Sequence, residues 1–148
     1  NTRDDPEIFR GRLHYVGHQD AVKTALTVEE NLTFWAEMSG AEPEKRLVRD
    51  ALKTFSLTHL AALPARFLSA GQRKRLNLAR ICASAAPLWL LDEPANSLDT
   101  DSVVALRHAI AAHQDKGGMV AVATHEELVS DSNILDISEF TSSNRGAL

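Results

Sequence analysis

Four apolar residues, Leu88 to Leu91, run directly into two carboxylates, Asp92 and Glu93, with Pro94 behind them. At the end of a buried strand, such a first carboxylate can hold a magnesium ion, commonly through water, and the second can polarise an attacking water. A second apolar run, Met119 to Ala123, leads through Thr124 to His125, an imidazole able to reach a phosphate oxygen or a water. The stretch "RLHYVG" is followed by His18 and Gln19, and an amide there can touch a metal or a water. Taken singly, each has a plain reading: a strand that ends in acid, a satisfied structural histidine, a loop glutamine.

A further feature is a helix tip. In "FLSAGQRKRLNLAR", residues 67–80, Ser69 and Gln72 have the spacing of a capping box, so a helix is expected to start at or just after Ser69. Gly71 leaves its first turn without a side chain. Free N–H groups, the positive end of the helix dipole and a serine hydroxyl together favour an anion, most naturally a phosphate. The plain alternative is an ordinary capped helix with a solvated basic face of Arg73, Lys74, Arg75 and Arg80.

These residues serve one site only if the elements between them gather their ends. Residues 12–17 read as a short strand. Residues 27–40 read as a helix, with a Thr27–Glu30 capping box, Leu32, Trp35, Ala36 and Ser39 following at helical spacing, and Gly40 as the stop. Pro43 suits a first helical turn, and Leu47, Ala51, Leu52 and Phe55 predict a second amphipathic helix. Residues 27–63 are therefore expected to form a helical insert. Beyond the tip helix come a buried strand at 87–94, a capped helix at 99–118 and another buried strand at 119–124. Strand, helix, strand implies an α/β fold with a mostly parallel sheet, and such sheets bind ligands beyond the carboxyl ends of their strands. Residues 133–140 are expected to add a strand, and 141–148 a polar tail.

Composition narrows the classes. At 148 residues the chain fits one domain. Sixteen basic against twenty acidic residues give a net charge of −4, no global field for nucleic acid or anionic lipid, so any anion site is local. The single cysteine, Cys82, excludes an intrachain disulfide, and no basic segment followed by an apolar stretch opens the chain, which points to the cytosol. No apolar run reaches the 18 or so residues that span a bilayer, so membrane contact is expected through a partner. His14 and His18 do not converge as a zinc pair, because they lie on a strand and its loop. Cys82 reads as an inert core thiol, and Trp35 and Trp89 as packing aromatics.

Taken together, the residues resemble the ATPase domain of ABC transporters. "LSAGQ" (68–72) is similar to that family's signature motif, "LWLLDE" (88–93) to Walker B, "NSLD" (96–99) to the D-loop, "ATH" (123–125) to the switch histidine and "GHQ" (17–19) to the Q-loop. Within the family, residues 15–40 and 67–99 look most like the ATP-binding subunits of the bacterial cytochrome c maturation (heme export) transporter. The resemblance implies a P-loop NTPase-like sheet with a helical insert, ATP and Mg²⁺ as ligands, and a head-to-tail dimer of ATPase subunits. Transmembrane subunits would dock on the insert, and the ATPase would sit peripherally at the cytoplasmic face of the inner membrane. It gives the Leu68, Ser69, Ala70, Gly71 and Gln72 tip to the γ-phosphate of the partner's ATP, Asp92 and Gln19 to Mg²⁺, Glu93 to the water, His125 to the γ-phosphate charge and Asp99 to coupling between the two sites.

One departure matters. Residues 1–18 contain no G-x-x-x-x-G-K-[ST] segment: only Gly11 precedes Gly17, and no lysine precedes Lys23. The expectation is a fragment, the C-terminal two-thirds or so of one ABC ATPase domain, inactive alone. The alternative is a non-catalytic interaction module on a degenerate ABC ATPase fold. A chromosome-organising ATPase would carry a very long coiled coil between Q-loop and signature, whereas only the 48 residues from 20 to 67 lie there.

Overall fold

Among the described residues three short strands set the frame: β1 (Leu13–Val16), β2 (Leu88–Asp92) and β3 (Met119–Ala123) form a parallel sheet in the order β1-β2-β3. The computed structural model describes residues 13–17, 19–39, 44–125, 128 and 133. The strand expected over 133–140 and the polar tail lie outside the described residues but for Asn133, as do His18, Gly40 and Pro43. Because the strands are parallel, all three carboxyl ends open on one edge. Val16 pairs with Leu91, and Asp92 with Ala123, so the residues that follow each strand emerge side by side.

Helices occupy the crossovers. Helix α1 (Val28–Met38) starts where its capping box predicts: the Glu30 N–H donates to Thr27 Oγ1 at 3.2 Å, and the Thr27 N–H donates to Glu30 Oε2 at 2.7 Å. It buries Val28, Leu32 and Ala36, one per turn. Helix α2 (Lys45–Thr54) buries Val48, Ala51 and Leu52, with Phe55 just beyond. The expected stripe began at Leu47, but Leu47 is only half-buried. Val48, Ala51, Leu52 and Phe55 have the closer helical spacing, and Leu47 lies about 100° around the helix from Val48. The segment closes on itself, since the Val28 N–H donates to Leu63 O and the Glu29 N–H to Ala61 O, both at 3.0 Å. Helix α3 (Ala70–Ala79) then leads through a 3₁₀ turn, Arg80–Cys82, to β2, and α4 (Thr100–Gln114) joins β2 to β3.

One core serves sheet and helices alike: Val16 and Leu91 of the sheet share it with Leu32, Phe55, Leu76, Leu106 and Ile110. The strand register sorts the sheet faces. His14, Val16, Trp89, Leu91, Val120 and Val122 share one face, and Leu13, Tyr15, Leu88, Leu90, Met119 and Ala121 the other. Burial falls on the first. Met119 is 60% and Tyr15 54% exposed, so β3, expected to be buried, packs on one side only among the described residues. Its run of apolar residues suits burial on both faces, as parallel strands require, but the helices described here cover one.

Candidate functional site

At the carboxyl edge β2 delivers the acid pair. Asp92, the last residue of β2, is half-buried. Glu93 leaves the strand with φ 45°, in the left-handed region that costs a non-glycine residue energy, while its N–H donates to Ala123 O at 2.8 Å. That turn directs the chain away from β2 with one bond still holding it to β3. His125, two residues past Ala123, brings Nε2 to 3.5 Å from Glu93 Oε1. The two side chains differ in freedom: Glu93 is 29% exposed and His125 97%. The imidazole is thus free to turn toward a ligand, and its attraction to Glu93 is worth little in water. Gln19 emerges three residues beyond Val16 on the same edge, exposed and without a hydrogen bond to another described side chain.

Among the described residues no cluster of three or more His, Cys, Asp or Glu side chains forms a closed metal cage. Asp92, with the amide of Gln19 on the same edge, suits instead a hydrated Mg²⁺, which keeps several waters and takes one or two carboxylates beside its phosphate ligands. That donor set fits Mg²⁺.

The tip of α3 has its own architecture. Ser69 Oγ accepts from the Gln72 N–H at 3.2 Å, and Gln72 Oε1 accepts from the Ser69 N–H at 2.8 Å. The serine hydroxyl thereby keeps its own proton to donate. A Cβ placed on Gly71 would meet nothing within 4 Å, so this chain's own packing does not require a glycine there. Ser69, Ala70 and Gly71 are exposed, whereas the Leu68 side chain is buried and the Arg73 guanidinium donates to the Leu68 carbonyl at 3.1 Å. Leu68 therefore anchors the tip and presents no side chain to a ligand. No hydrogen bond or ion pair joins the tip to Asp92, Glu93 or His125 among the described residues.

The solvated basic face suggested for this helix needs correcting at Arg80. Its guanidinium stacks on Trp35, 4.7 Å from the ring centroid, and donates to the Tyr15 carbonyl. Burial lowers its pKa.

Asp99 caps α4, its Oδ1 accepting from the Ser102 N–H at 2.8 Å. The Ser102 side chain and backbone hold the carboxyl below its usual range. A carboxylate whose folded pKa is depressed stabilises the fold above its unfolded pKa, and that contribution is lost as pH falls through the folded value. Asp99→Ala is therefore expected to lower Tm at neutral pH, with the gap to the parent chain closing below about pH 3.9, the ordinary aspartate value. Melting curves across that range test it; a gap independent of pH would show that the cap is not ionic.

A cavity of about 600 Å³ lies at the other end of the strands and is lined by residues that include Arg46, Cys82, Trp89, His113 and Lys116. Trp89 stacks on His113, ring centroids 3.9 Å apart, as the packing reading expected of it. Cys82 sits in the turn after α3, and burial pushes its thiol up to about 12, which leaves it unreactive. What sequence reasoning missed is a set of polar side chains behind the edge, Asn31, Trp35 and Asn77, which grip the loop after Gln19. The available signal was an asparagine between leucines in "RLNLAR".

The ABC transporter family model matches residues 1–96. The chain is 52% identical over 124 residues to the cytochrome c biogenesis ATP-binding export protein CcmA of Rhodospirillum rubrum, 84% of this chain and 52% of the relative. It is 48% identical to the CcmA protein of Paramagnetospirillum magneticum over 84% of this chain and 58% of the relative. The chain thus spans about half the length of such relatives. Among solved structures, an ATP-binding subunit of an ABC transporter superposes with a TM-score of 0.72 at 24% identity, covering 84% of this chain and 53% of that one. A dimeric ATP-binding cassette in a post-hydrolysis state, bound to ADP and Pi, gives 0.71 at 26% identity, covering 82% and 55%. With the motif residues placed on one sheet edge and one helix tip, and with this match to more than half its length, the chain belongs to the ABC transporter family.

Proposed function

We propose that this chain is the signature-bearing part of an ATP-hydrolysing subunit of a heme-exporting ABC transporter that serves cytochrome c maturation. The observation that carries the catalytic reading is the approach of His125 to Glu93 at 3.5 Å, directly after Asp92 on the carboxyl edge of the sheet. Glu93 orients the attacking water and accepts its proton. The water oxygen bonds to the γ-phosphorus, the bond from that phosphorus to the β,γ-bridging oxygen breaks, and ADP and phosphate result. His125 donates to a γ-phosphate oxygen. Asp92 and Gln19 would hold Mg²⁺, which when bound neutralises charge building on the phosphate oxygens.

The tip of α3 serves the nucleotide of a second copy, since Ser69, Ala70 and Gly71 are exposed and, among the described residues, have no hydrogen bond or ion pair to this chain's own acid pair. Two copies close head to tail on ATP and reopen after hydrolysis, with Asp99 coupling the two sites. Helices within 27–63, the insert, dock on transmembrane subunits at the cytoplasmic face of the membrane. No described helix is long and apolar enough to cross a membrane.

The test compares two lengths of the protein. The full-length protein should hydrolyse Mg-ATP, and at about 100 times its dissociation constant the nucleotide should stabilise it by about 2.7 kcal/mol in a melting experiment. Residues 1–148 should show neither effect, having no glycine-rich loop and lysine for the β- and γ-phosphates. A saturable, magnesium-dependent shift from residues 1–148 would mean that phosphate is gripped elsewhere. No hydrolysis and no shift at full length would favour a non-catalytic module.

A further inference from the structure

Between β1 and α1 the chain crosses from the sheet edge to the helices as an irregular segment, residues 20–26, and side chains from two helices hold its backbone. The Ala21 N–H donates to Asn77 Oδ1 of α3 at 3.2 Å, and Trp35 Nε1 of α1 donates to the Ala21 carbonyl at 3.0 Å. Asn31 of α1 accepts from the Lys23 N–H at 2.7 Å, while its Nδ2 donates to the carbonyls of Lys23, Leu26 and Thr27 at 3.0, 3.3 and 2.8 Å. On the other side of Gln19, Arg80 at the end of α3 donates to the Tyr15 carbonyl. Gln19 is therefore slung between two anchors, Tyr15 and Ala21, both held from the C-terminal end of the helix whose N-terminus is the Ser69 tip.

Asn31 and Asn77 are each only 1% exposed, but they use their amides differently. Asn31 engages both its oxygen and its nitrogen. Asn77 uses its oxygen alone: Nδ2 is buried without a partner, beside a void lined by Ala21, Val22, Trp35 and Leu76 that has no room for a water. Its orientation is decided by chemistry, because the Ala21 N–H requires the oxygen to face it. A half-satisfied buried amide adds little to stability, and an apolar side chain of similar size would serve the core as well. What an apolar side chain could not do is hold Ala21.

We infer that Asn77 is a positioning residue for Gln19, fastening the loop that carries Gln19 to α3, so that displacement of the Ser69 tip and of Gln19 are one motion. The catalytic half of this inference rests on the role given above to Gln19. It goes beyond that role in naming the residue that sets it.

Two measurements test it. In residues 1–148, Asn77→Leu should leave Tm and the exchange of core amides such as Leu78 and Leu91 unchanged within about twofold, while amide exchange at Ala21 rises about 10-fold or more. Should Asn77→Leu not fold, Asn77→Ala carries the same expectation for Ala21. Unchanged exchange at Ala21, or equal acceleration throughout the core, would overturn the clamp.

In the full-length protein, Asn77→Leu should lower kcat about 10-fold with KM for ATP within about twofold, and combining it with Gln19→Ala should cost no more than Gln19→Ala alone. Additive losses would show that Asn77 acts on turnover by another route and would overturn the coupling. A neutral Gln19→Ala would sink the role given to Gln19, and with it the part of Asn77 in catalysis.

Discussion

Glu93→Gln in the full-length protein is expected to bind ATP, to lose turnover by about 10²- to 10⁴-fold and to accumulate as a closed dimer. Glutamine keeps the size of the side chain and its reach from the strand end, and takes away only the capacity to accept a proton. The fold has little stake in the charge: among the described residues the one side chain recorded close to the carboxylate is His125, at 3.5 Å and 97% exposed. Backbone strain at φ 45° is unaltered, because neither residue is a glycine. The substitution therefore separates chemistry from architecture. Rates of hydrolysis, nucleotide affinity and sedimentation of the ATP-bound protein supply the three readouts. Near-normal hydrolysis would remove Glu93 from the mechanism and leave the water to be oriented by another group.

The second large effect is expected at the α3 tip. Gly71→Asp should fold as well as the parent, since a Cβ there meets nothing within 4 Å and an acidic residue suits the first turn of a helix. Ser69→Arg is the harsher variant. It removes the oxygen that accepts from the Gln72 N–H, at a cost of about 0.5 to 2 kcal/mol for a lost cap. Both place charge or bulk where a partner's γ-phosphate would sit. Dimerisation driven by ATP is expected to weaken by at least about 100-fold, or about 2.8 kcal/mol, while ATP affinity of the full-length monomer stays within about twofold. Gly71→Asp adds a negative charge facing a negative phosphate, so its defect should shrink as salt rises; that of Ser69→Arg, being largely steric, should not. A clear loss of ATP affinity in the monomer, measured by equilibrium binding, would show that the tip serves its own chain and that the head-to-tail arrangement is wrong.

The sequence by itself determined what depends on neighbours a few residues away. Both capping boxes, Thr27 with Glu30 and Ser69 with Gln72, form as their spacing predicts, because a cap is closed within one turn of backbone and needs no tertiary partner. The parallel order of the strands followed equally from the alternation of strand and helix, since short apolar strands separated by long crossovers have few other ways to pair. The family was legible for a related reason: its motifs are short and each sits at the end of one element.

Tertiary structure decided whatever depends on which surface another element covers. Whether Leu47 or Val48 faces the core was set by where α2 packs, and the second face of β3 by what lies against the sheet. Arg80 read as a solvated charge, yet Trp35 and the Tyr15 carbonyl, 45 and 65 residues away in sequence, make it a half-buried tie. The meeting of Glu93 and His125 required the Asp92–Ala123 register and a left-handed turn at Glu93, and nothing in "LDEP" or "ATH" specifies either. The grip of Asn77 on Ala21 spans 56 residues. A buried polar group declares its purpose only when the group that satisfies it is in place, and that partner is supplied by the fold.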